Sequence, residues 1–171
     1  NFSGSYFPFF AVFVVGANAA LSEELTFRLF SINLGKKFLK STFLAVLIPA
    51  LIWGFGHSTY QIFPMWFRGL EVTLLGLFLS FIYLRYGIIP VIIAHYLFDV
   101  FWGSSAYLLG HSTPFLFTSS IFILALPLIF GIIAYILNKP EDDRDMTWKL
   151  TKHQLYNLEI LKHYLTEKQV L

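Results

Sequence analysis

The feature that most restricts this chain is how little charge its first 137 residues carry. Ten side chains there are charged: Arg28, Lys36, Lys37, Lys40, Arg68 and Arg85 against Glu23, Glu24, Glu71 and Asp99. Over all 171 residues, 57% are hydrophobic and 13% charged. Soluble globular domains run at about 45–50% apolar and about 25% charged. So much apolar surface with so little charge has to be solvated by lipid. A helix that crosses a bilayer takes about 20 mostly apolar residues, and five runs qualify: 5–34, 41–67, 69–84, 88–109 and 114–137. No run alternates polar and apolar residues as a transmembrane β-barrel strand would. The expected fold class is all-α: a polytopic transmembrane helical bundle of five spans, followed by a soluble C-terminal helix.

Two domains follow from the charge distribution. Residues 1–137 form the membrane bundle, and 138–171 form a cytoplasmic tail holding six Lys/Arg and six Asp/Glu. In the tail, Thr151 followed by Gln154 resembles a capping box. Leu155, Leu158, Leu161 and Leu165 then recur at helical spacing, which predicts an amphipathic helix. Lys36, Lys37 and Lys40 lie between spans one and two, and Arg85 between three and four. By the positive-inside rule these segments and the tail face the cytoplasm, so the N-terminal end lies outside. The absence of cysteine excludes a disulfide scaffold, a thiol nucleophile and a cysteine-ligated metal. A net charge of +2 excludes a strongly electrostatic nucleic-acid partner. No basic leader precedes the first apolar run, so it is not a signal peptide, and the chain is expected to begin partway through a longer protein.

Ionisable side chains at membrane depth cost about 2.5–3.5 kcal/mol on insertion scales and point by default to a functional site. Glu24 and Arg28 are i,i+4 partners and can pair along one helix face. Glu23, rotated about 100° from Glu24, points elsewhere, into a cavity. His95 and Asp99 are a second i,i+4 pair, and Trp53 and His57 a third, set among Gly54 and Gly56 that let another helix come close. At about 1.5 Å rise per residue, Asp99 falls close to the middle of its span, Glu23 and His95 about 5 Å to the cytoplasmic side and His57 about 8 Å to the other. Tilt or a kink at Pro49 absorbs that spread, so they can converge. Glu71, three residues from Arg68 and near the start of span three, reads as an interfacial ion pair. His111 falls in a Gly/Pro turn and needs no special role.

Three motifs then resemble one family. Glu23-Glu24-Leu-Thr-Phe-Arg28 resembles the EExxxR motif of the CAAX-protease and bacteriocin-processing (CPBP) intramembrane proteases, which include the type II CAAX prenyl endopeptidases. Trp53-Gly-Phe-Gly-His57 is similar to their FxxxH motif, and His95-Tyr-Leu-Phe-Asp99 to HxxxN or HxxxD. Trp53 stands where the family usually has Phe, a change expected to alter cavity shape more than chemistry. Asp99 stands where the eukaryotic members have Asn.

The resemblance implies an intramembrane endopeptidase, in a prokaryotic cell membrane, acting on a peptide or protein substrate at the bilayer. Glu23, His57, His95 and Asp99 would be catalytic, with Glu23 as general base, His57 holding the water, and His95, oriented by Asp99, donating to the oxyanion. Glu24, Arg28 and Trp53 would support them. A metal-free mechanism is expected, although Glu23, His57, His95 and Asp99 are also residue types that hold zinc. Two other functions fit the same residues: a non-catalytic family member in bacteriocin immunity or secretion regulation, and a transporter or proton relay.

Overall fold

The computed structural model describes residues 7–59, 63–110, 112–137 and 151–168. The turn at His111 and the charged stretch 138–150 lie outside the described residues. Among the described residues every regular element is helical, and five helices are long and apolar enough to cross a membrane.

The first helix, α1 (Pro8–Leu39), is the longest. Pro8 sits in its first turn, where a missing N–H costs nothing. The helix is regular to Glu23, widens into a π-helical stretch over Glu24–Phe30, and is regular again over Ser31–Leu39. Its inward residues are Val12, Gly16, Ala20, Glu24, Arg28 and Ile32, one every four positions. In an ordinary α-helix a four-residue repeat drifts by about 40° at each step. The wider π turn takes that drift back, so Glu24 and Arg28 both stay inside. Such bulges occur frequently at functional sites.

Lys40 ends α1 in the left-handed conformation, at φ 52°. Ser41 then caps α2 (Thr42–Gly56), its Oγ accepting from the Leu44 N–H at 3.3 Å. A single 3₁₀ turn, His57–Thr59, closes it. The second span is therefore shorter than the run of 41–67 suggested. The aromatic cluster divides instead, with Met65, Trp66 and Phe67 opening α3 (Met65–Tyr86) after an extended Pro64. No formal charge lies between Ser41 and Phe67, so charge alone did not mark the division; Pro64 was the available signal. Gly87, at φ 85°, separates α3 from α4 (Ile88–Leu109), a turn only glycine enters without strain. The fifth span, α5, covers Pro114–Leu137.

The helix α1 packs on α4, its second half on α2, α2 on α3, and α3 on α4. Two apolar clusters hold these contacts. One joins Val12, Ala20, Tyr96, Val100 and Ile123, with the Tyr96 hydroxyl donating to the Ile123 carbonyl at 2.7 Å. The other joins Trp53, Val72, Leu79 and Val91. Glu71 pairs with Arg68 at 2.9 Å on the surface, as expected.

Contacts within the chain fall into two units, Asn1–Ile129 and Phe130–Leu171. The second contains the tail helix α6 (Lys152–Lys168). Its capping box forms: the Thr151 N–H donates to Gln154 Oε1 at 2.9 Å, and the Gln154 N–H to Thr151 Oγ1 at 3.3 Å. Of the leucine stripe, Leu155 and Leu158 are half-buried and Leu161 is exposed, while the Leu165 side chain lies outside the described residues.

Candidate active site

The inward face of α1 delivers the acidic group. Glu24 is fully buried and Arg28 nearly so, with Arg28 Nη1 3.0 Å from Glu24 Oε1. That approach is an ion pair without the alignment of a hydrogen bond, and Glu24 Oε2 has no hydrogen-bond partner among the described residues. Arg28 gains two further contacts. Its guanidinium stacks on the Trp53 ring at 4.2 Å, and its Nη2 reaches the Gly76 carbonyl at 3.5 Å. Gly76 makes that fit: a Cβ there would lie 2.9 Å from the Trp53 ring and 3.3 Å from Arg28 Nη2.

From α4 comes His95, buried between carboxylates. Its Nδ1 lies 2.6 Å from Glu24 Oε1. An ionised carboxylate only accepts, so this nitrogen carries the proton. The opposite nitrogen, Nε2, faces Asp99 Oδ2 at 3.5 Å and Glu23 Oε2 at 3.9 Å. Glu24 is thus the group that fixes the ring, a contact between residues 71 positions apart that no spacing rule exposes. Asp99 stands on the other side, at the working nitrogen, beyond the usual 2.7–3.2 Å of a hydrogen bond. The family resemblance implies Asp99 as the orienting partner, and its i,i+4 spacing from His95 allows that; the Glu24 contact was not visible from spacing.

Glu23 separates from Glu24 as the helical offset requires. Its side chain is 27% exposed, and that of Asp99 31%, whereas Glu24 is at 0%. The Trp53 indole N–H donates to Glu23 Oε2. Trp53 therefore does more than shape the cavity, because the indole brings a donor that a Phe ring lacks. Beyond it His57 stands in the turn after α2. Its Nδ1 lies 2.7 Å from the Trp53 carbonyl, which leaves Nε2 as the acceptor nitrogen. The rings of His57 and His95 lie 5.1 and 5.6 Å from that of Trp53, on edge to it.

Three helices thus bring Glu23, Glu24, Arg28, Trp53, His95 and Asp99 together, with His57 joined to them through Trp53. Among the described residues no group of three or more His, Asp or Glu side chains is placed to hold a metal ion.

The family model described as type II CAAX prenyl endopeptidase Rce1-like matches residues 5–101, more than half of the chain. The chain belongs to this family. All seven residues of the cluster lie within the matched stretch, and the five apolar helices make this Rce1-like chain an integral membrane protein. It is also similar to the sporulation-killing factor biosynthesis protein SkfC of Bacillus subtilis (strain 168), 23% identical over 82 residues. That stretch is 48% of this chain and 16% of SkfC, so the match spans a minor part of the relative. No solved structure matches the chain.

Proposed function

We propose that this Rce1-like protein is an intramembrane endopeptidase that hydrolyses a peptide bond with a water activated by Glu23 and His57. The observation that carries the reading is the asymmetry of the two glutamates. Glu24 is buried against Arg28 and His95, while its neighbour Glu23 is partly open and, among the described residues, held through Oε2 alone.

The chemistry follows from those positions. Glu23 Oε1, the oxygen not engaged by Trp53, takes a proton from water as the water oxygen bonds to the substrate carbonyl carbon. His57, through Nε2, steadies that water. The carbonyl oxygen gains the electron pair and becomes an oxyanion. With protons on both nitrogens, His95 donates to Glu24 from one side and to the oxyanion from the other. When the tetrahedral intermediate collapses, the C–N bond breaks and Glu23 returns its proton to the leaving amine. No step in this reading draws on a metal. Participation in the biosynthesis of a killing factor is a second reading, supported by the likeness to SkfC.

The test is cleavage of a prenylated CAAX peptide and its unprenylated counterpart by the protein in proteoliposomes, with and without chelator. Glu23→Gln should lower the rate by roughly 10²–10⁴-fold, the usual worth of a general base, while the helical content stays that of the parent. An unchanged rate would remove Glu23 from the mechanism. Loss of activity on chelation, restored by zinc, would overturn the metal-free reading.

A further inference from the structure

Away from this cluster, the second half of α1 and the facing side of α2 enclose a groove of about 270 Å³. Phe27 and Phe38 line it from α1, Ile48 and Ile52 from α2, and its floor is where Gly35 and Ala45 meet. Ser31 also borders it, but the Ser31 hydroxyl donates to the Thr26 carbonyl at 2.8 Å, so the wall offers a ligand little beyond hydrocarbon. The charge sits at one end. Lys36, Lys37 and Lys40 are exposed there, and none of the three is in an ion pair among the described residues. No Asp or Glu occurs between Arg28 and Glu71, so the α1–α2 turn carries no counter-charge of its own. Lys37 Nζ lies 5.8 Å from the ring of Phe38, itself part of the wall, which sets an ammonium at the mouth of the groove.

We propose that this groove binds one anionic phospholipid of the surrounding bilayer, its acyl chain along the groove and its headgroup on Lys36, Lys37 and Lys40. The length agrees. Along α1 the lining runs from Phe27 to Leu39, about 18 Å at about 1.5 Å rise per residue, comparable with half of a hydrocarbon core about 30 Å thick. One acyl chain of one leaflet fills it. The charge agrees too, since clustered lysines between helices at a membrane surface attract anionic headgroups, each adding about as much as a fivefold change in affinity. The site stands apart from the proposed peptidase chemistry and does not depend on it.

The experiment is native mass spectrometry of the full chain, purified in mild detergent and exposed to equal amounts of palmitoyl-oleoyl phosphatidylglycerol and phosphatidylcholine. The expected result is a tight one-lipid adduct strongly favouring phosphatidylglycerol. Lys36→Gln/Lys37→Gln/Lys40→Gln should abolish the preference, and single changes should weaken it about fivefold each. These side chains are exposed, so the fold is kept. Ile48→Trp, which fills the groove, should remove the adduct with either lipid. Arg85→Gln, on a different helix, should leave it unchanged. Equal retention of the two lipids by the parent would overturn the proposal. So would a preference that survives loss of the three lysines, an adduct that survives Ile48→Trp, or an equal effect from Arg85→Gln.

Discussion

At the scale of single residues, the cluster is a chain of dependencies running from Arg28 to Glu23. Arg28 neutralises Glu24 and lies flat on Trp53, and Trp53 holds Glu23 by its indole N–H. Removing the cation leaves a fully buried carboxylate with His95 as its remaining charged or polar partner among the described residues. Breaking such a pair from one side typically costs about 3–5 kcal/mol. Arg28→Ala should therefore lower the thermal midpoint in detergent by many degrees, and Glu24→Gln/Arg28→Met should recover part of the loss. An Arg28→Ala variant as stable as the parent would show that the pair contributes nothing. Trp53→Phe isolates the other end. It keeps a ring under the guanidinium and removes the donor, so stability should change little. The peptidase rate on the prenylated CAAX peptide should fall about tenfold, from loss of one hydrogen bond to a carboxylate. A full rate in Trp53→Phe would mean that the indole does not position Glu23.

At the scale of elements, the arrangement depends on helices that approach closely enough for short side chains to meet. Gly54 marks the tightest crossing. A Cβ on it would lie 2.1 Å from Thr73 Oγ1, 2.6 Å from the Thr73 nitrogen and 2.7 Å from the Gly69 carbonyl oxygen. Two of those atoms are backbone, so α2 and α3 would have to separate, next to Trp53. Gly54→Ala should cost about 1–3 kcal/mol, as overpacking does, read as a lower thermal midpoint. Gly56→Ala, where an added Cβ meets nothing within 4 Å, is the matched control. Equal effects of the two would argue against close packing as the role of Gly54. The same elements show what the sequence made legible. Long apolar runs gave four of the five spans nearly their full extent, and i,i+4 spacing gave the Glu24–Arg28 pair. The division of the 41–67 run between α2 and α3 was hidden because no charged residue falls within it. Glu24 with His95, and the Asn33 amide donating to the Tyr83 hydroxyl at 2.8 Å, were hidden because their partners lie 71 and 50 positions away.

For the whole molecule, the remaining question is which way the bundle lies in its membrane, and the turns bear on it. Because the spans alternate in direction, the α1–α2 turn with Lys36, Lys37 and Lys40 shares a membrane face with the α3–α4 turn beside Arg85. The opposite face, where α3 begins, has Arg68, which is already paired with Glu71. Excess basic charge in short loops is retained on the cytoplasmic side. The Lys-bearing face is therefore expected to be cytoplasmic, with Pro8 at the outer end of α1. The helix α3 offers a direct test, since its 22 residues extend about 33 Å at 1.5 Å each, enough to place its two ends on opposite sides. The chain has no cysteine, so a single one introduced at either end is a unique label. Met65 and Tyr86 are both exposed, so Met65→Cys and Tyr86→Cys should fold normally. In intact cells, a membrane-impermeant maleimide should modify Met65→Cys at once, and Tyr86→Cys only after the membrane is opened. The reverse pattern would invert the orientation and move the three lysines, with the groove they border, to the outer leaflet. Labelling of both positions in intact cells would mean that α3 does not hold one fixed orientation across the bilayer.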